Sequence, residues 1–188
     1  MDTATEPGDN SKEKLDPAFS IVPLKKELED DVVTIIRHNL DSFEEAGSVL
    51  AASFRRLGNF FETYALDGSI YLVIIETKSG APIGGAGIGP MAGLPLSEAI
   101  GEIRELVIDS RYRKQGLGSK LLLECIKQAQ KFKYKRLYLE TTKQMEHAQR
   151  LFQRFGFVPI EQKNLQASGS HPPCYYMREM ERHIDIDE

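Results

Sequence analysis

The stretch Glu102–Leu122, EIRELVIDSRYRKQGLGSKLL, sets the frame into which the rest of the chain falls. It opens as a β-rich strand, passes through a loop of cations and glycine, and ends in the first turn of an amphipathic helix. Such a junction attracts anions. The first N–H groups of a helix have no internal partner, and the macrodipole favours negative charge beside them. Gly116 and Gly118 lack the Cβ atoms that would hold a diphosphate away from those N–H groups. Arg113 and Lys114 bring positive charge, and the Ser119 hydroxyl can join the last of the donors. The segment GLGSKL lacks the third glycine of the dinucleotide fingerprint, and the Walker spacing is absent. Taken alone, the loop is equally a plain helix N-terminus with a Gly-rich turn.

Downstream, Leu122, Cys125, Ile126 and Ala129 share one face of a helix over Ser119–Phe132, and a strand follows at Lys135–Glu140. A second helix at Met145–Phe155 turns Met145, Ala148, Leu151, Phe152 and Phe155 inward. Gly156 caps it, and Phe157–Ile160 begins another strand. Cys174–Met180 forms a last one. The strand–helix–strand unit from Glu102 to Glu140 requires a parallel pair joined by a crossover helix. Upstream, the spacing predicts a short strand at Phe19–Leu24 and a helical region from Glu27 to about Tyr64 broken at Gly58. Strands follow at Ile70–Glu76 and Ile83–Met91 around a tight turn at Ser79-Gly80. The fold class is therefore α+β: a mixed, mostly antiparallel sheet of six to seven strands with flanking helices.

Composition narrows the function classes. With 188 residues the chain is long enough for one domain with a sizeable core, expected over 17–188 behind a disordered tail at 1–16. The hydrophobic share of 41% and charged share of 28% are ordinary for a soluble protein, and the net charge of −4 lacks the footprint of a nucleic-acid binder. The two cysteines, Cys125 and Cys174, have neither CxxC spacing nor a nearby histidine pair, so neither a disulfide framework nor a metal site is expected. No stretch is long and apolar enough to span a membrane, and no signal-peptide pattern opens the chain, which fits a reducing, cytoplasmic setting.

Two motifs, taken together, resemble the GNAT superfamily of N-acetyltransferases. Arg113, Gly116 and Gly118 match its Arg/Gln-x-x-Gly-x-Gly/Ala signature between strand and helix. Ala148, Leu151, Phe152, Gly156 and Phe157 match its A-x-x-L-Y-x-x-x-G-F helix, and one strand separates the two motifs as in the family. The resemblance spans about Phe19 to Met180. It implies a parallel fourth and fifth strand that splay apart, with acetyl-CoA as acyl donor seated in the gap and no metal. Its pyrophosphate would lie on Arg113, Lys114, Gln115, Gly116, Leu117, Gly118 and Ser119. Its pantetheine would pair like an added strand with the backbone of Leu106, Val107 and Ile108, one N–H of which polarises the thioester carbonyl. The implied reaction is direct transfer of the acetyl group to a primary amine of a small molecule or peptide, with no covalent enzyme intermediate. Gly89–Glu98 would wall the acceptor site. A homodimer through the C-terminal strands is a further implication.

An alkyl ammonium has a pKa near 10, so a base or water relay helps at neutral pH. Glu102, eleven residues before Arg113, resembles the family's base in its offset. Glu105 is the second candidate, although simple alternation puts it on the opposite face from Glu102 unless a bulge intervenes. Both are equally solvated or salt-bridged strand charges, for example with Arg104. The segment GSHPPCYYMREM resembles a subgroup of small bacterial-type members, and there His171 would reach the acceptor side as base or amine contact. The clearest departure is Phe152, where the family often carries a tyrosine that protonates the leaving thiolate. Tyr138, Tyr175, Tyr176 or a water would have to replace it. Met145 likewise stands where the family has asparagine. These departures motivate a second reading, a catalytically weak acyl-CoA-binding sensor or scaffold. A nucleotide-binding α/β protein is a third.

Overall fold

A computed structural model describes residues 18–41, 53–143, 145–161 and 174–180; the tail expected at 1–16 and the candidate His171 lie outside them. Among the described residues seven strands form one sheet: β1 (Phe19–Pro23), β2 (Ile70–Glu76), β3 (Pro82–Pro90), β4 (Ile100–Ile108), β5 (Arg136–Thr141), β6 (Val158–Ile160) and β7 (Cys174–Glu179). Their order is β1-β2-β3-β4-β5-β7-β6. Each pairing is antiparallel except β4 with β5. Helices α1 (Glu29–Asp41) and α2 (Phe60–Tyr64) contribute to the apolar layer on one face. Helices α3 (Leu117–Lys131), the crossover between the parallel strands, and α4 (Glu146–Arg154) cover the other.

The run YLVII of β2 explains why both faces are covered. Leu72 and Ile74 enter the layer under α3 and α4, while Tyr71 and Val73 enter the layer under α1 and α2. A central strand apolar on both sides can be buried only between two layers. In α3, Leu117, Leu121, Leu122, Cys125, Ile126 and Ala129 are all buried, the stripe expected of an amphipathic helix. Cys125 is wholly inaccessible, and burial pushes its thiol up. Gly156 ends α4 with a φ of 80°, and the Phe157 N–H returns to the Phe152 carbonyl at 3.1 Å.

Of the helical region expected from Glu27 to about Tyr64 with a break at Gly58, the described residues show α1 over Glu29–Asp41 and helix over residues 53–56, and residues 42–52 lie outside them. A 3-10 turn at Leu57–Asn59 carries Gly58 before α2 resumes. Phe54, on the apolar face that the helical spacing predicts together with Leu57, is 40% exposed, while Leu57 is buried. The start of α2 is tied to the start of α1, because the Phe61 N–H donates to Glu29 Oε1 at 2.8 Å. One carboxylate thereby serves the positive ends of two helices.

Strand β3 owes its glycines to the aromatic layer beneath α1 and α2. A Cβ on Gly85 would overlap the Tyr71 ring, one on Gly87 the Tyr64 ring, and one on Gly89 would meet Arg104 Nη1 at 2.8 Å. Phe60, Tyr64 and Tyr71 pack edge-on or tilted, with centroids 4.8–5.2 Å apart. We expect Gly87→Ala to destabilise the protein by about 1–3 kcal/mol through overpacking. Gly58→Ala, with no atom near its new Cβ, should stay within about 0.5 kcal/mol of the parent. Urea denaturation of the two variants measures both, and equal midpoints would remove this account of the glycine row.

Candidate active site

The parallel pairing of β4 with β5 runs from Ile100↔Arg136 to Ile103↔Leu139 and stops there. The cause lies in β4. Against β3, Gly85 pairs with Val107 and Gly87 with Arg104, so β4 carries one residue more than its partner over that interval. The extra residue is accommodated at Glu105, whose φ is +43°. Past this bulge, Leu106–Ile108 keep β3 on one edge and have no β5 partner on the other. A cleft of about 1160 Å³ opens there, bounded by Leu106–Ile108, by Glu140–Thr142, and by Ala148, Leu151 and Phe152 of α4.

One end of the cleft is formed by the loop from Arg113 to Ser119. Lys114 and Gly116 both have left-handed backbone, with φ of 63° and 76°. The Ser119 and Lys120 N–H groups both return to the Gly116 carbonyl at 3.1 Å, so the N–H groups of Leu117 and Gly118 precede the first bond of the helix. No atom lies within 4 Å of the space a Cβ on Gly116 would occupy, whereas one on Gly118 would rest 3.5 Å from Leu151 Cδ2. Lys114, Gly116, Leu117, Gly118 and Ser119 line the cleft; Gln115 is exposed outside it. Arg113 also lines it, but its guanidinium turns back. Nε donates to the Ile108 carbonyl at 3.0 Å, and Nη2 donates to Oδ1 of the buried Asn39 on α1. It braces the loop against β4 and α1 as well as adding charge.

At the other end the bulge corrects the alternation expected of β4. Leu106 and Ile108 pack into the layer beneath α3 and α4, and Val107 into the opposite one. Glu105 meets Tyr64 and Arg56 on the α1 side, the side on which Arg104 crosses Gly89. Glu102 and Glu105 therefore share a face. The Glu105 side chain is fully buried. Its Oε1 accepts from Arg56 Nε at 2.7 Å and pairs with Arg56 Nη2 at 2.5 Å, its Oε2 accepts from the Tyr64 hydroxyl, and its carbonyl accepts from the Tyr71 hydroxyl at 3.1 Å. Burial, and then the Glu105 charge, push both phenols well up. Glu102 is paired with Arg104 at 2.7 Å, and Arg104 Nη2 also donates to the Pro90 carbonyl at 2.5 Å.

Glu140, at the end of the fifth strand, where the sequence left a contact with coenzyme or acceptor and a plain strand cap equally open, joins this group. Its Oε1 accepts from the Tyr138 hydroxyl at 2.7 Å. Burial raises the Glu140 carboxyl above its ordinary range; the Tyr138 hydrogen bond opposes this, and the nearby Glu102 charge adds to it. Burial and the Glu140 contact push the Tyr138 phenol up in turn. Tyr175, opposite Glu140 in the register, stacks on Tyr138 with centroids 6.2 Å apart.

Phe152 forms part of the cleft wall and packs against Phe157 and Tyr176, with centroids 6.1 and 6.4 Å apart. The Tyr176 hydroxyl donates to Gln149 at 3.2 Å, and Tyr138 is the tyrosine of the three that lines the cleft. Met145 is the N-cap of α4 and makes no side-chain cap bond; its sulfur accepts from the Thr141 hydroxyl at 3.4 Å. Thr142 lines the cleft with a buried hydroxyl that has no hydrogen-bond partner among the described residues. Asn39, Arg56 and His147 are lining residues that no motif indicated. Their positions depend on packing between distant segments.

The cleft thus lies between a splayed parallel strand pair and the N-terminus of a helix, whose first N–H groups favour an anion. The chain belongs to the acetyltransferase (GNAT) family, whose model matches residues 33–157. It is 34% identical over 106 residues to the uncharacterized N-acetyltransferase YjgM of Escherichia coli K12, covering 56% of this chain and 60% of that protein. Over 51 residues it is 49% identical to the spermine/spermidine N(1)-acetyltransferase of Bacillus subtilis, covering 27% of this chain and 34% of that protein. The chain thus spans less than two thirds of the length of these curated relatives. Among solved structures, a GNAT-family acetyltransferase from Staphylococcus aureus Mu50 superposes with a TM-score of 0.71 at 19% identity, covering 87% of this chain and all (100%) of that one. The yncA protein of Salmonella typhimurium, solved with acetyl-CoA, gives 0.68 at 20% identity, covering 90% and 98%. These likenesses establish the fold.

Replacing Glu105 by alanine removes the acceptor of Arg56 and Tyr64 and should cost about 3 kcal/mol in urea unfolding, near the lower bound for a broken buried pair because Arg56 keeps some solvent contact. The apolar double substitution Arg56→Met/Glu105→Leu should recover most of that loss. A loss below about 1 kcal/mol for the single variant would mean that the pair is screened like a surface one.

Proposed function

We propose that this protein is an acetyl-CoA-dependent N-acetyltransferase that passes the acetyl group directly to a primary amine of a small molecule or peptide. The observation that carries the proposal is the edge of Leu106–Ile108, unpaired among the described residues, leading into the N–H groups that precede the first bond of α3. The residues present fit acetyl-CoA. Gly116 leaves open space at the first N–H groups, Thr142 presents a buried hydroxyl without a hydrogen-bond partner among the described residues, and Ala148, Leu151 and Phe152 give an apolar wall. The loop residues 113–119 would hold the diphosphate through backbone N–H groups, with Lys114 and Ser119 adding side-chain donors. Leu106 and Val107 would offer backbone groups to the pantetheine amides. The Ile108 carbonyl already accepts from Arg113, which leaves its N–H side for the ligand.

When bound, the thioester supplies an activated acyl group. Direct transfer is supported by the cysteines: Cys125 is a buried core residue, and Cys174 on β7 does not line the cleft. The relatives carry names for different acceptors, a polyamine in one and phosphinothricin in another, so the amine is left to a screen. Phe152 supports the second reading of a catalytically weak sensor, since no hydroxyl stands at that point of the wall.

The test is calorimetric titration with acetyl-CoA followed by a thiol-release screen of primary amines. Gly116→Val should raise Kd for acetyl-CoA roughly tenfold or more, because a β-branched residue at φ 76° is strained by over ~1 kcal/mol and fills the open space. Tight binding without turnover of any amine would favour the sensor. Unaltered binding by Gly116→Val would move the diphosphate away from this loop.

A further inference from the structure

Three carboxylates gather on the α1 face of β4 and β5 where these strands part: Glu102, Glu105 and Glu140. Two are committed to arginines. Glu105 is buried against Arg56 and Tyr64, and Glu102 is paired with Arg104. Among the described residues no cation is paired with Glu140, whose one named partner is a neutral phenol, Tyr138. Glu140 also holds the first β5 position beyond the last pair with β4, Ile103↔Leu139, and lines the cleft across from the unpaired edge of β4. Of these three carboxylates, Glu140 is the one without a paired guanidinium among the described residues.

We propose that Glu140, and neither of the β4 glutamates, receives the acceptor amine: it holds one ammonium group by ion pairing and takes its proton, with Tyr138 as positioning residue. The proposal rests on the acetyl-transfer reading above. The site fits an acceptor with a single ammonium group at the point of transfer, flanked by the Tyr138 ring that Tyr175 backs. The ammonium gives one proton to the Glu140 carboxylate as its lone pair forms the C–N bond to the thioester carbonyl carbon. The C–S bond then breaks, sulfur keeps the bonding pair, and the second nitrogen proton neutralises the thiolate. Glu140 returns its proton to water, so amide, free thiol and one proton leave. Tyr138 keeps its own proton, held by burial and by the hydrogen bond to Glu140.

The groups that act on Glu140 are Tyr138 on its own strand, Tyr175 on β7, Glu102 on β4, and Arg56 from residues 53–56. The sign of each perturbation follows. Glu140 must be ionised to accept a proton, so kcat/KM rises with pH through its titration, above the ordinary carboxylate range. Tyr138→Phe removes a donor that favours the charged form and moves this limb to higher pH. Glu102→Gln removes a repelling charge and moves it to lower pH.

The experiment measures pH–rate profiles of the full chain with acetyl-CoA and a fixed probe set of putrescine, lysine, methionine and an unblocked dipeptide. Alongside, 13C NMR follows the Glu140 carboxyl in the protein with coenzyme A. Glu140→Gln should lower kcat/KM by about 100-fold or more and abolish the acid limb, while calorimetry shows acetyl-CoA affinity within twofold of the parent. Opposite shifts of the limb in Tyr138→Phe and Glu102→Gln are expected. An acid limb that survives Glu140→Gln and vanishes in Glu102→Gln would overturn the proposal. So would a Glu140 carboxyl that titrates at or below the usual carboxylate range. Acetyl-CoA binding without acetylation of any probe amine by the parent protein would instead sink the acetyl-transfer reading itself, and the role of Glu140 with it.

Discussion

Glu105 occupies left-handed backbone in the middle of a strand, a conformation that costs a residue with a side chain on the order of 1–3 kcal/mol. It persists because the site around it is over-determined. Its carboxylate is fixed by Arg56 and Tyr64, and its carbonyl by Tyr71. Those two rings lie where β3 has no side chains, over Gly87 and Gly85. The bulge in turn ends the pairing of β4 with β5 and turns Glu105 onto the face of Glu102. Cleft, carboxylate cluster and glycine row are thus consequences of one backbone irregularity and of the ion pair that holds it.

Much of this architecture could be read from the residues. Strand β2 falls on Ile70–Glu76 as expected, α3 and α4 start and end within two residues of their predicted limits, and the crossover places β4 parallel to β5. These elements were legible because their apolar spacing and their caps are local. The bulge was not, since nothing in RELVI distinguishes a regular strand from one with an extra residue. Without it, alternation sends Glu105 to the wrong face. Arg113 shows the same limit: its charge was visible, while its bonds to Ile108 and to Asn39 depend on how α1 packs.

Electrostatics separate groups that look identical in sequence. Glu102, Glu105 and Glu140 are all strand glutamates, yet two are neutralised by guanidinium groups and one faces a phenol. Burial, with the nearby Glu102 charge adding to it, raises the Glu140 carboxyl against the Tyr138 hydrogen bond. Arg56, which creates much of this difference, sits nearly fifty residues before Glu105 (|i−j| = 49), and its partner cannot be named without the fold.

The brace made by Arg113 bears on the energetics of ligand capture. It joins a loop, a strand end and a helix through side-chain bonds. A loop so tethered has little conformational entropy left to lose on association, and each immobilised rotamer avoided is worth about 0.5–1.5 kcal/mol of affinity. Under the proposed function, Arg113 would strengthen binding without touching a phosphate, by stiffening the loop.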